Sequence, residues 1–338
     1  MWTLPYRIPN IDFETKRILD PHVVIIGAGA SKAAFKKDKN GKNVPLLKDI
    51  HRVLGLTKVL SGYGFTEDQM EDFELLYTNI SNNDSLCELK SFLENKIYEY
   101  FYSLQIPEKI NFYDYLVLSL TSKDTIISFN WDPFLLQSYV RNRKVGNLPR
   151  LLFLHGNVAV GLCYRCHSKG YIKEKCTCGN KFSKMKLLFP TGNKNYADGD
   201  IIQDEWDEAE DALSKAAAIT IFGYGAPVSD AKACELLKKY ISKSNTREIA
   251  PFTIINLDSE KEEQIKKWQS IISERTFFYT SDFKKSLLWQ CPRVSVETMF
   301  DAMLQGKPRH IEKSYKDFKT LDELQKFVKT INEFEVEI

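Results

Sequence analysis

A chain of 338 residues with 43% hydrophobic and 27% charged residues can bury one sizeable core and has the balance of an ordinary globular protein. Its 47 basic and 45 acidic side chains leave a formal net charge of +2, which gives no global drive toward nucleic acid or an anionic membrane surface. No apolar run reaches the roughly 20 residues that a membrane-spanning helix needs. The stretch from Met1 to Asp12 lacks a secretory-type apolar segment, so the expected location is cytoplasmic, with neither membrane nor direct nucleic-acid partner.

In chain order, the first strong element is the apolar run His22 to Ile26, which predicts a buried strand. Gly27-Ala28-Gly29-Ala30-Ser31 comes directly after it. Small residues at a strand end let the backbone approach a ligand, and loop amides favour a diphosphate. The motif lacks the third glycine and the downstream spacing of the common dinucleotide fingerprint. Lys36-Lys37-Asp38-Lys39 reads as a solvated turn. Residues of about 45–122 are mostly helical and predict an insertion, including a helix over Ser85 to Leu104 with Ser85 and Glu88 as a capping box.

A second strand is expected over Thr125 to Phe129, ending in Asn130-Trp131-Asp132, and a third over Leu151 to Leu154, ending in His155-Gly156. Asn130 and Asp132 also suit the start of a helix, since Asp132 precedes Pro133. Next come a helix over Asp204 to Ala217 and a fourth strand over Ala218 to Phe222, ending in Gly223-Tyr224-Gly225. The pattern continues with a helix over Ala231 to Ile241, with Ser229 and Asp230 as N-caps, and a strand over Phe252 to Leu257 carrying Asn256. A helix over Ser259 to Ser270, a strand over Thr276 to Tyr279, an Asp282 cap and a helix over Asp322 to Phe334 complete it. The last helix has Leu324, Phe327, Val328 and Ile331 on one face, to be buried against the domain or a partner. Such alternation predicts an α/β fold built on a doubly wound, Rossmann-like parallel sheet. The expected organisation is a main domain over 1–290 and a helical tail over 291–338.

Four of the seven cysteines, Cys163, Cys166, Cys176 and Cys178, cluster in a segment of about 156–195 with few long apolar runs. Cys-x2-Cys and Cys-x-Cys-Gly are chelating turns, and four thiolates make a closed structural zinc site that staples a module unable to build its own core. His167 is an extra candidate ligand that the set does not require. The isolated Cys87, Cys234 and Cys291 read as buried apolar filler.

Open parallel sheets bind ligands at the carboxyl ends of their strands. That edge collects Gly27 to Ser31, Asn130, Asp132, His155, Gly223, Tyr224, Gly225 and Asn256. In this order, together with the four cysteines, the set resembles the sirtuin fold family, and more closely its bacterial sirtuin-like branch. The resemblance covers about residues 20–280 and implies NAD as ligand. It implies that Gly27, Ala28, Gly29, Ala30 and Ser31 hold the diphosphate, with Gly223 and Tyr224 beside the cofactor and Asn256 near the adenosine ribose. Asn130 and Asp132 would hold the nicotinamide ribose, and His155 would act as general base. The deacylase motifs on the acyl-peptide side are missing: Lys32 to Lys37 comes after the first loop, Phe129 replaces a Gln, and Gly223-Tyr224-Gly225 replaces Gly-Thr-Ser. The expected activity is therefore NAD hydrolysis to ADP-ribose and nicotinamide. The alternatives are protein deacylation or ADP-ribosyl transfer, and an NAD-sensing subunit. The resemblance further implies an antiphage effector that works as a homo-oligomer, with a regulatory partner such as a helicase-like ATPase. The insertion and the C-terminal helix are the expected contact surfaces.

Overall fold

The computed structural model describes residues 10–12, 17–190, 200–227, 230–242, 252–272, 277–305 and 314–334. Strands β1 (Ile11–Asp12) and β2 (Arg17–Ile18) form a small antiparallel ribbon. Then come β3 (His22–Ile26), β4 (Thr125–Ser128) and β5 (Arg150–Phe153), and after them the short β6 (Val160–Cys163), β7 (Ser168–Tyr171) and β8 (Ser183–Lys184). The series ends with β9 (Ala218–Phe222), β10 (Phe252–Ile255) and β11 (Phe277–Thr280).

Six of these strands form one sheet in the order β11-β10-β9-β3-β4-β5. Every neighbouring pair is parallel, as in Ile25 opposite both Ile127 and Ile221. Renumbered along the sheet, this is the doubly wound Rossmann order, with its switch point between β3 and β9. The reason lies in the sequence. β3, β4, β9 and β10 are buried at every position, so their unbroken apolar runs need cover on both faces.

Helix α1 (Ala28–Ala34) comes after β3. The expected insertion is α2 (Ile50–Val53), α3 (Thr57–Gly62), α4 (Glu67–Glu71), α5 (Phe73–Ser81), α6 (Cys87–Tyr102) and α7 (Phe112–Leu118). It shares the main hydrophobic core through Phe73, Leu76, Leu93, Ile97, Leu116 and Val117. The expected capping box does not form. α6 begins at Cys87 behind Leu86, which has no side-chain cap, and Asn83 accepts from the Ser85 amide in the preceding 3-10 turn.

After β4 comes α8 (Phe134–Asn142), which Asp114 ties to α7. The Asp114 carboxylate is fully buried and accepts from Ser138 Oγ (3.0 Å), Asn142 Nδ2 (2.9 Å) and Arg141 Nε (2.6 Å). α9 (Asp200–Lys215) starts earlier than expected, and α10 (Ala231–Leu237) runs into a π-helical turn at Lys238–Ser242. Ser229 lies outside the described residues, and Asp230 makes no side-chain cap. α11 (Lys261–Ile272) is preceded by a 3-10 turn at Asp258–Glu260. Asp282 caps as expected, by accepting from the Lys284 amide, but the element it opens is another 3-10 turn, ahead of α12 (Leu287–Gln290) and α13 (Ser295–Gln305).

The tail helix α14 (Leu321–Phe334) buries Leu324, Val328 and Ile331 against its own chain. Gln325 Nε2 fastens it by donating to Arg141 O (3.1 Å) and Asn142 Oδ1 (2.8 Å). Its apolar face is thus already used and does not offer the contact surface expected of it. Of the three isolated cysteines only Cys291 is buried; Cys87 is exposed and Cys234 half-buried. Among the described residues no helix is long and apolar enough to cross a membrane.

Candidate functional site

A cavity of about 340 Å3 opens at the carboxyl ends of β3, β4, β5 and β9. Gly27, Ala28 and Gly29 line it from the first strand, Asn130 and Asp132 from the second, His155 from the third, and Gly223, Tyr224 and Gly225 from the fourth. The insertion walls it with Leu46, Ile50, Glu74 and Phe101, and α11 adds Gln264 and Lys267. Most of the expected positions thus converge; Ala30, Ser31 and Asn256 are not part of the lining. Asn256 closes on its own loop, its Oδ1 accepting from the Leu257 amide at 2.9 Å.

The glycines on the two sides of the switch point interlock. Gly27 N donates to Phe222 O (3.1 Å) and Gly29 N to Gly223 O (3.0 Å). A Cβ on Gly27 would stand 2.7 Å from Gly223 O, and one on Gly29 would stand 2.8 Å from the same atom. The smallness that the sequence assigned to ligand approach is therefore spent, in large part, on packing one strand-end loop against the other. Gly156 does a similar task after His155. Its φ is +73°, and a Cβ there would fall 2.0 Å from Lys186 O.

Behind the cavity wall lies a closed polar network. Tyr113, on α7, donates its hydroxyl to Ser31 Oγ (2.5 Å), and Ser31 donates to Asp132 Oδ2 (2.6 Å). Asn130 Nδ2 donates to Gly27 O (2.9 Å) and Ser31 Oγ (3.2 Å). Asp132 Oδ1 also accepts from the Phe134 amide at 3.2 Å, just ahead of α8, while the side chain faces the cavity. Burial pushes the Asp132 carboxyl up to about 6, against the opposing pull of the Ser31 hydroxyl and the Phe134 amide. Ser31 acts as the strut behind Asp132 and Asn130 rather than as part of the lining.

His155 belongs to a second network. Its Nε2 stands 3.4 Å from Asp230 Oδ1, while Tyr224 donates its hydroxyl to Asp230 Oδ2 at 3.1 Å. All three side chains are buried at the cavity. Phe129 holds the group laterally, stacking on Tyr224 at 4.3 Å and meeting His155 edge-on at 4.9 Å. The imidazole–carboxylate pair is the arrangement that orients a base.

Three residues escape a reading of the sequence. Asp230 reads as a helix cap, and Tyr113 is one aromatic among many in the insertion. Asn157 is fully buried and donates to Asn130 O (3.1 Å) and Asp132 O (2.6 Å), fixing the loop that carries both. Only its place two residues past His155 could have flagged it.

The four cysteines meet as expected, with every pair of Sγ atoms within 4.8 Å and Cys163 to Cys178 at 3.6 Å. Zn–S bonds of about 2.3 Å in a tetrahedron put sulfurs about 3.8 Å apart, so the donor set fits structural zinc. Both chelating turns form, through Cys166 N to Cys163 O (3.2 Å) and Gly179 N to Cys176 O (2.8 Å). His167 is not part of the cluster among the described residues. The three-stranded sheet β7-β6-β8 carries the site. Lys169 on β7 ties it to the main sheet by donating to Leu151 O (3.0 Å) and pairing with buried Glu205.

The fold and cavity define a doubly wound α/β protein with a cavity at its switch point and a four-cysteine module beside it. No protein-family model matches the sequence, and no curated protein matches it. Among solved structures, the chain is similar to a Sir2 homologue–NAD complex at 13% identity and a TM-score of 0.34, over 88% of this chain and 98% of that one. It is also similar to a structure described as the basis for the mechanism and regulation of Sir2 enzymes, at 13% identity and a TM-score of 0.37, over 93% and 94%. A Sir2 homologue mutant in complex with ADP-ribose matches at 13% identity and a TM-score of 0.35, over 79% and 100%.

Proposed function

We propose that the protein is an NAD+ glycohydrolase, splitting NAD+ and water into ADP-ribose, nicotinamide and a proton. The observation that supports hydrolysis best is the His155–Asp230 pair, 3.4 Å apart and buried in the same cavity as Asn130 and Asp132. The glycosidic carbon becomes oxocarbenium-like as nicotinamide departs, and water then needs a positioned base on the open face. His155 takes the proton of that water, and Asp230, steadied by the Tyr224 hydroxyl, holds the imidazole in place. Asn130 and Asp132, braced from behind by Ser31 and Tyr113, orient the ribose. Gly27, Ala28 and Gly29 border the diphosphate. Zinc at the four cysteines supplies only structure, keeping the β6–β8 module folded against β5.

Water is favoured over an acyl-lysine oxygen because the sequence lacks the deacylase motifs on the peptide side, and an aromatic side chain, Phe129, fills the wall between His155 and Tyr224. In its cellular role the protein is a cytoplasmic effector of bacterial antiphage defence. It is held in check by homo-oligomeric assembly or by a regulatory partner such as a helicase-like ATPase.

The test is nicotinamide release from NAD+ by the purified full-length chain, alone and with extracts of infected cells. His155→Ala should lower kcat by about 100-fold or more. Equal turnover by the variant, or no NAD+ consumption under any condition, overturns the reading.

A further inference from the structure

The buried stripe of α11 consists of Gln264, Trp268 and Ile271. Two members are apolar, as a helix packed on a sheet requires. Gln264 is the exception: it is 7% exposed, it lines the cavity, and its Oε1 has no hydrogen-bond donor among the described residues. Buried amide groups are normally satisfied, so an unpaired one at a cavity wall marks a place where a ligand or water completes the bonding. Lys267, one turn further along, lines the same cavity and has no ion pair among the described residues. Gln264 packs close to the β9 strand end at this wall, since a Cβ on Gly225 would already touch its Nε2 at 3.7 Å. The strand-end position expected to read the adenosine ribose, Asn256, is spent on its own loop.

We propose that Gln264 and Lys267 form the anion-and-hydroxyl subsite of the cavity, taking the diphosphate and adjoining nucleoside of a dinucleotide. The inference rests on the NAD reading of the same cavity and moves the adenosine end from β10 to α11. Lys267 supplies the charge for the diphosphate oxygens. The Gln264 amide supplies one donor and one acceptor, which suit a sugar hydroxyl or the edge of a purine.

Isothermal titration of the full chain with ADP-ribose, ADP and inorganic pyrophosphate tests this without any turnover. Lys267→Ala should weaken all three at least 10-fold. Gln264→Leu should weaken ADP-ribose and ADP about 10-fold and leave pyrophosphate unchanged. Gln264→Leu removes an unsatisfied buried amide, so it should melt no lower than the parent, which keeps its binding result interpretable. Unchanged affinities in both variants, with the parent binding normally, overturn the subsite alone. Failure of the parent to bind ADP-ribose overturns the subsite together with the NAD reading beneath it.

Discussion

Gly29 and Gly223 occupy each other's side-chain space. A Cβ on Gly29 would lie 2.8 Å from Gly223 O, and one on Gly223 would lie 2.1 Å from Ala30 N. Gly223 also has a φ of +60°, in the left-handed region that favours glycine. The prediction is that Gly223→Ala destabilises the fold by about 2–4 kcal/mol, through backbone collision plus strain. Urea unfolding measures it. A loss below about 0.5 kcal/mol would mean that the two loops separate readily and the interlock has no energetic weight.

Asp132 predicts a pH dependence. Its carboxyl is raised from 3.8 to about 6 by burial, so the folded chain holds the proton more tightly than the unfolded chain does. The stability this favours is complete below about pH 4 and is lost as pH rises through about 6. Asp132→Asn keeps the oxygen that Ser31 donates to and removes the charge, but gives up the acceptor of the Phe134 amide at every pH. Its stability relative to the parent should therefore improve by up to about 3 kcal/mol between pH 4 and pH 7.5, on top of a pH-independent cost for the lost acceptor. Chemical denaturation at pH 4 and pH 7.5 checks this, and NAD+ turnover should fall in the same variant. A pH-independent difference would remove the buried charge from the account.

Asp230 predicts a kinetic signature. Asp230→Asn should reduce kcat by about 10- to 100-fold while leaving KM for NAD+ within about twofold, since the carboxylate acts on His155 rather than on the substrate. Tyr224→Phe should give a smaller loss of the same kind. If both variants instead raise KM and leave kcat unchanged, Asp230 belongs to substrate binding and the pair is not catalytic.

The cysteine cluster predicts one zinc ion per chain by elemental analysis. Cys163→Ser should lower zinc occupancy and open the outer strands β7 and β8 of the β6–β8 module to protease, because the four ligands close the site and these two strands, unlike β6, are not buried in the main core. Lys169 connects that module to β5, so the His155 strand end should loosen too, visible as faster amide exchange at Leu154 and His155. Full zinc content in the variant would argue for another ligand set.

Much of the fold is legible in the sequence because the physics is local. Fully buried parallel strands announce themselves as unbroken apolar runs, and His22 to Ile26 and Ala218 to Phe222 match their expected bounds to the residue. The convergence of Asn130, Asp132 and His155 comes from topology alone, since every parallel strand ends on the same edge. Residues whose role depends on long-range geometry escape. Asp230 looks like any aspartate before a helix until Tyr224 and His155 come within reach. Tyr113 matters only because the insertion folds back on Ser31. Ser85 and Glu88 show the opposite failure: a correct local pattern lost to a 3-10 turn capped from two residues earlier, at Asn83.

The hydrogen bonds around Asp114 carry a consequence for synthesis. Asn142 is held by Asp114 on one side and by Gln325 on the other, and Gln325 lies 183 residues downstream. At about 5–20 residues per second, the ribosome needs roughly 10–40 s to deliver that second partner. Throughout that interval the α7–α8 corner, which carries Tyr113 toward Ser31, lacks its outer brace. A nascent chain would thus hold a half-braced pocket, and the site would ripen only after most of the chain had been made.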